Sequence, residues 1–325
     1  MHTLTVRVSV LALCSTLGLA GAAQADMMPV PPPPPPPADF WARAIEVRSP
    51  QAVELHQHLA TALRTLEEPW GSTDRLRVEL VRRADRVARM LVARYPTDPT
   101  SLYYAGAFAD LTGRSDLALG WLTEARERAP ASALAGDAEL RLGLLALRRG
   151  DLERAIAWLR PLTAVSRDRD GQVRASIALA FAHEAQGDTA AAIAALRVLD
   201  NPTSDDPGSQ AIAVTLAVIY DRDDQVTNAF DLLVRLRQFE EGGAIAIVDR
   251  TLRAYPPPFA LDRVYLRALA YDVTPGSERE AHRLWLQLEQ SGGPPELAAR
   301  ARAHRLLLDR TLTEARRPRA PSRPQ

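Results

Sequence analysis

The side chains able to do chemistry are few and scattered. Histidine occurs at His2, His56, His58, His183, His282 and His304. His56 and His58 are two residues apart, so on a helix they point to different faces and do not chelate one metal together. His183-Glu184 opens like the zinc-protease helix motif, but Gly187 stands where the second histidine is needed. The sole cysteine is Cys14, in the apolar N-terminal stretch. Leu13 precedes it where a lipobox requires a small residue, a poor fit to lipidation. The chain beyond has no thiol for a disulfide, a Cys-ligated zinc or a nucleophile. The carboxylate pairs Glu67-Glu68, Asp205-Asp206, Asp223-Asp224 and Glu240-Glu241 fall at expected loops or helix ends and read as solvated charge. There is no glycine-rich phosphate loop; Gly242-Gly243 and Gly292-Gly293 read as turns. The expectation is a chain with no catalytic residues, no metal and no cofactor.

Charge and composition narrow the partners. The 40 basic residues, all arginine, balance 40 acidic ones, so a general nucleic-acid or anionic-membrane binder is not expected. Hydrophobic residues at 46% supply ample core. Arg7 followed by apolar Val8 to Ala22, then Ala23-Gln24-Ala25, reads as an export leader cleaved before Asp26; an uncleaved anchor is the alternative. No later stretch is long and apolar enough to span a bilayer. Prolines from Pro31 to Pro37 predict a stiff polyproline II rod, a spacer or else a ligand for an aromatic groove. The tail from Arg316 is basic, proline-rich and expected to be disordered.

Between these ends the chain repeats itself. Gly113-Arg114-Ser115-Asp116-Leu117-Ala118 is echoed by Gly150-Asp151-Leu152-Glu153-Arg154-Ala155, by Gly187-Asp188-Thr189-Ala190-Ala191-Ala192, and by Asp224-Gln225-Val226-Thr227-Asn228-Ala229. The final alanines recur every 37 residues. Before each glycine runs an apolar helical stretch, such as Leu140, Leu144 and Leu147 on one face. The glycine ends that helix in the left-handed region, and Asp151 or Asp188 caps the next. The alanine permits close helix approach, and Leu122, Leu159, Leu196 and Leu233 follow it by four residues, on the same face.

This pattern resembles the tetratricopeptide repeat. Leu102, Gly106, Ala118, Leu122, Ala125 and Pro130 fall on that signature in the first unit. Gly143, Ala155, Leu159 and Leu162 follow in the second, Ala180, Ala192, Leu196 and Leu199 in the third. The fourth has Ala217, Tyr220, Ala229, Leu233 and Leu236. The period exceeds the family's usual one, which longer turns at Ser166 to Gly171 and Asn201 to Ser209 would explain. The resemblance implies an all-α, right-handed superhelical solenoid of helix-turn-helix repeats with a C-terminal capping helix. The expected organisation is 1–25 leader, 26–38 proline spacer, 39–97 N-terminal helices and degenerate repeat, and 98–240 four repeats. An insertion (241–258), a degenerate repeat with capping helix (259–315) and a tail (316–325) follow. Gln51 to Leu66 and Arg82 to Pro96 should pair, as should Leu261 to Tyr271 and Glu278 to Gln290, with Ala281 and Trp285 at the key places. Glu296 to Leu312 should cap the array. Trp121 and Trp158, one period apart, are expected to pack between hairpins, Trp158→Ala costing about 3–5 kcal/mol.

In that family the first helix of each repeat lines the face where partner peptides lie. The positions are Tyr103, Ala107 and Asp110; Leu140, Leu144 and Leu147; Ile177, Phe181 and Glu184; Val214, Val218 and Asp221. They describe an apolar trough with a carboxylate edge, suited to an apolar segment flanked by basic residues. The protein could equally fill the trough itself, with Glu296 to Leu312 or Phe40 to Val47. The implied function is a non-enzymatic scaffold or adaptor binding protein partners in the periplasm or at the outer membrane, or secreted. A chaperone-like holder of exported chains is the alternative, and a hydrolase centred on Gly242 to Pro258 a weaker one.

Overall fold

A computed structural model describes residues 49–67, 74–165, 169–200, 206–236 and 243–316. The expected leader, the proline spacer, Phe40 to Val47 and the tail beyond Arg316 lie outside them. The described residues form helices and no strand. In chain order these are α1 (Pro50–Glu67), α2 (Asp74–Arg94), α3 (Pro99–Leu111), α4 (Ser115–Arg128), α5 (Ala133–Arg148), α6 (Leu152–Val165) and α7 (Arg169–Ala185). There follow α8 (Thr189–Arg197), α9 (Pro207–Arg222), α10 (Val226–Leu236), α11 (Gly243–Ala254), α12 (Ala260–Asp272), α13 (Glu278–Glu289) and α14 (Pro295–Arg316). Each packs on its neighbours in chain order, and the first helices of successive pairs also touch. None is long and apolar enough to cross a membrane.

The repeat is visible in the backbone. Helices α3, α5, α7 and α9 end 37 residues apart, and α4, α6, α8 and α10 begin at the same interval. Gly113, Gly150 and Gly187 take φ of 74°, 76° and 81°. The amide three residues past each helix end closes the same turn: Arg114 to the Ala109 carbonyl, Asp151 to Ala146, Asp188 to His183, Gln225 to Tyr220, all within 2.8–2.9 Å. Asp188 and Asp151 cap as expected, accepting from the Ala191 and Arg154 amides. Asp224 holds the left-handed conformation (φ 62°) without being glycine, and its carboxylate binds Arg300 at 2.5 Å.

The longer period is not explained by turns alone. Residues 169–171 and 207–209 are already helical, and α5, α7 and α9 have 16 or 17 residues against 13 in α3. The added residues lengthen first helices. Helices α2 and α14 also run longer than the expected Arg82 to Pro96 and Glu296 to Leu312.

Packing follows the repeated alanines and leucines. Ala118, Ala155, Ala192 and Ala229, with Leu122, Leu159, Leu196 and Leu233, are all buried. A Cβ on Gly143 would come within 2.6 Å of the Leu159 side chain. Gly143→Ala should therefore destabilise by about 1–3 kcal/mol through overpacking, read as a lower urea midpoint at unchanged slope. Trp121 and Trp158 do pack between hairpins, but both are only partly buried, Trp158 beneath the Arg126 guanidinium. The expected cost of Trp158→Ala falls to about 1–2 kcal/mol, since less apolar area is lost.

Candidate functional site

The first-helix face divides into an open half and a filled half. Over α9 it is filled. Helix α11 and α12 pack on α9, and Pro256-Pro257-Pro258 turn the chain between them. Tyr255, just past α11, donates its hydroxyl proton to Asp170 at the start of α7. Residues 208–221 of α9 are consequently all buried.

The twelve residues expected to form the trough therefore part company. Asp110, Leu140, Leu144 and Ile177 line one cavity of about 580 Å³. The other eight do not line it, and Ala107 is fully buried. Phe181, Leu147, Val214 and Val218 lie in the core. Tyr103 is buried and donates to Asp137. Glu184 is held by Arg222 at 3.0 Å, and Asp221 lies in a buried network. These first helices pack on the first helices both before and after them, so most apolar residues at these positions are core.

The carboxylate edge is neutralised from within. Asp110 pairs with Arg148 and Glu184 with Arg222, each 38 residues on in the next first helix. The third carboxylate, in the fourth unit, has no such successor, because Phe259 stands 38 residues beyond Asp221. The C-terminal helix supplies cations instead: Arg300 binds Asp221 at 2.8 Å and the His304 Nε2 lies 3.0 Å from it. Tyr265 donates to the same carboxylate at 2.5 Å, and the His304 Nδ1 faces Asp272 at 2.7 Å. Burial opposes ionisation of Asp221, but hydrogen bonds from His304, Arg300 and Tyr265 outweigh it and hold its pKa far below the usual carboxylate range. Burial also disfavours the His304 cation, yet the two carboxylates push its pKa up to about 9. At Glu184 and Asp262 burial exceeds what Arg222 returns, and both pKa values rise.

The open half is lined by arginine. Around Leu66, Leu111, Leu140, Leu144 and Ile177 stand Arg77, Arg141, Arg148, Arg174, Arg253 and Arg263, against Glu67, Asp110 and Asp137. Arg141 is spanned by Glu67 at 2.7 Å and Asp137 at 2.8 Å, and Arg174 reaches Asp170 at 3.5 Å and lies over the Tyr255 ring. Among the described residues Arg77, Arg253 and Arg263 form no ion pair, so an excess of three positive charges faces an apolar floor. The expected charge of the trough is thus reversed. The arginines were findable: Arg148 lies 38 residues after Asp110, Arg174 lies 37 after Asp137, and Arg141 lies 74 after Glu67.

The chain matches no protein-family model and no curated protein.

One constellation has the residue types of acyl transfer. His56 Nε2 lies 2.8 Å from Ser101 Oγ and 3.3 Å from Asp98. Its geometry serves capping instead. Ser101 gives its proton to Asp98 at 2.6 Å, Asp98 accepts the Ser101 amide at the start of α3, and Ser101 is fully buried. In the insertion, Asp249 binds Arg267 and Arg250 binds Gln210, so these side chains also hold helices together.

Proposed function

We propose that this chain is a non-enzymatic scaffold of the cell envelope: a tetratricopeptide-type, right-handed solenoid, exported and periplasmic or outer-membrane-associated, that binds a polypeptide partner. The carrying observation is the open cavity on the first-helix face, with an apolar floor and six arginines around it. The segment it suits is extended, with leucine-like side chains for the floor and carboxylates for Arg77, Arg253 and Arg263. Guanidinium forks bind carboxylates in two-pronged fashion, which sets register as well as affinity. The face differs from a lysine–asparagine clamp for a chain terminus, whose residues it lacks.

Arg253 and Arg263 are exposed, so their reversal leaves the core intact. Arg253→Glu/Arg263→Glu should weaken binding of a short alternating Leu–Glu peptide about tenfold or more by fluorescence anisotropy. A Leu–Arg peptide of equal length should bind the wild type poorly and the double variant better. Equal binding of both peptides by the wild type, or no change in the variant, would sink the reading.

A further inference from the structure

The chain's neutral total conceals a second concentration of positive charge, far from the groove in character. Helix α2 carries Arg75, Arg77, Arg82, Arg83, Arg86, Arg89 and Arg94 against Asp74, Glu79 and Asp85. At 100° per residue, Arg75, Arg82, Arg86 and Arg89 fall on one stripe, with Arg83 and Arg94 on its flank. All six are exposed. Arg83 pairs with Glu79 and Arg89 with Asp85. Among the described residues Arg75, Arg82, Arg86 and Arg94 have no acidic partner. Most arginines of α4 to α7 and of α14 do, which sets α2 apart from an ordinary solvated face.

Apolar side chains border the stripe. Leu76 is 62% exposed, Val78 50% and Met90 39%, three of the large hydrophobics left in water. Helix α2 is the second helix of the first pair, packed on α1 and α3 through Ala84, Ala88 and Leu91, so this face turns outward. A helix of 21 residues is about 32 Å long and offers a straight line of guanidinium groups, not a concavity.

We propose that the outer face of α2 docks the protein on an anionic lipid surface, arginines on headgroup phosphates and Leu76, Val78 and Met90 in the interfacial layer. Arginine suits this role because its fork matches phosphate geometry and its stem lies along apolar surface. Juxtaposed basic and apolar side chains on one exposed helix face are the composition of an interfacial helix. An acidic protein partner would satisfy the charges but not the bordering hydrophobics, which a headgroup–acyl boundary covers at once.

The test is co-sedimentation of the full chain with vesicles of phosphatidylglycerol and phosphatidylcholine, against phosphatidylcholine alone. The difference between the two vesicle types is the quantity read, because an apolar N-terminal leader partitions into both. Arg75→Glu/Arg82→Glu/Arg86→Glu should lose about tenfold or more of that difference, and Arg75→Lys/Arg82→Lys/Arg86→Lys should keep most of it. Raised salt should abolish it. Circular dichroism melting shows whether either variant is unfolded, and the lysine variant keeps the test decisive if the glutamate one is. No preference for anionic vesicles at low salt, or a preference the glutamate variant retains, overturns the proposal. So does a glutamate variant that loses only binding to a soluble acidic polypeptide.

Discussion

Asp221→Ala should destabilise the protein by about 3–5 kcal/mol, because it removes the buried carboxylate that buried His304 and partly buried Arg300 share. Arg300 and His304 reach Asp221 from 79 and 83 residues away, and Asp221 is 1% exposed. With the carboxylate gone, Arg300 keeps only exposed Asp224, and His304 keeps only Asp272. The same network makes the fold pH-dependent. His304 has a folded pKa of about 9 against 6.5 unfolded, so its contribution is fully present below about pH 6.5 and is lost as pH rises through about 9. The loss is on the order of 3 kcal/mol. Urea unfolding at pH 6.5 and pH 9.5 measures it. The Asp221→Ala variant should show a flatter profile, since burial then meets one carboxylate instead of two. A wild type equally stable at both pH values would refute this assignment.

Trp285→Ala should cost a similar amount, about 3–5 kcal/mol, by opening a cavity at the C-terminal end of the array. The indole is fully buried, stacked on His304 at 4.2 Å and edge-on to Tyr265 at 5.0 Å. Its ring nitrogen donates to Asp272 at 3.3 Å. Removing it takes away the surface that orients His304 and Tyr265 toward Asp221, so its effect and that of Asp221→Ala should be less than additive. The double variant in urea, with dye binding as a second readout, checks this. Additive losses would mean that α14 is held by its apolar residues alone. The contrast with Trp158 is informative, because both tryptophans are large and helical and only enclosure separates their expected costs.

Much of the local structure was legible in the residues. The glycine-aspartate turns and the buried alanine and leucine of each second helix could be read from a 37-residue period, and Ala281 with Trp285 from the same four-residue spacing out of register. They were legible because each is a short-range demand: a left-handed turn needs glycine, a capped helix needs an oxygen, and a close approach needs a methyl group. The trough was only partly legible. Val214, Val218 and Phe181 have the pattern of an exposed apolar strip, yet α11, α12 and the neighbouring first helices enclose them. Periodicity reports that a face is apolar and says nothing of what covers it.

The residues alone specified a repeated array of helix pairs, the turn that closes each first helix of the repeats, and the small side chains between paired helices. Which charges cancel and which stay without an ion pair follows from how the helices pack. Asp110, Glu184 and Asp221 find their cations 38, 38 and 79 residues away, while Arg77, Arg253 and Arg263 are left facing one cavity. The reason is range. Turn and capping preferences act over a few residues of chain, whereas ion pairing and enclosure depend on distances that exist only once the helices have stacked.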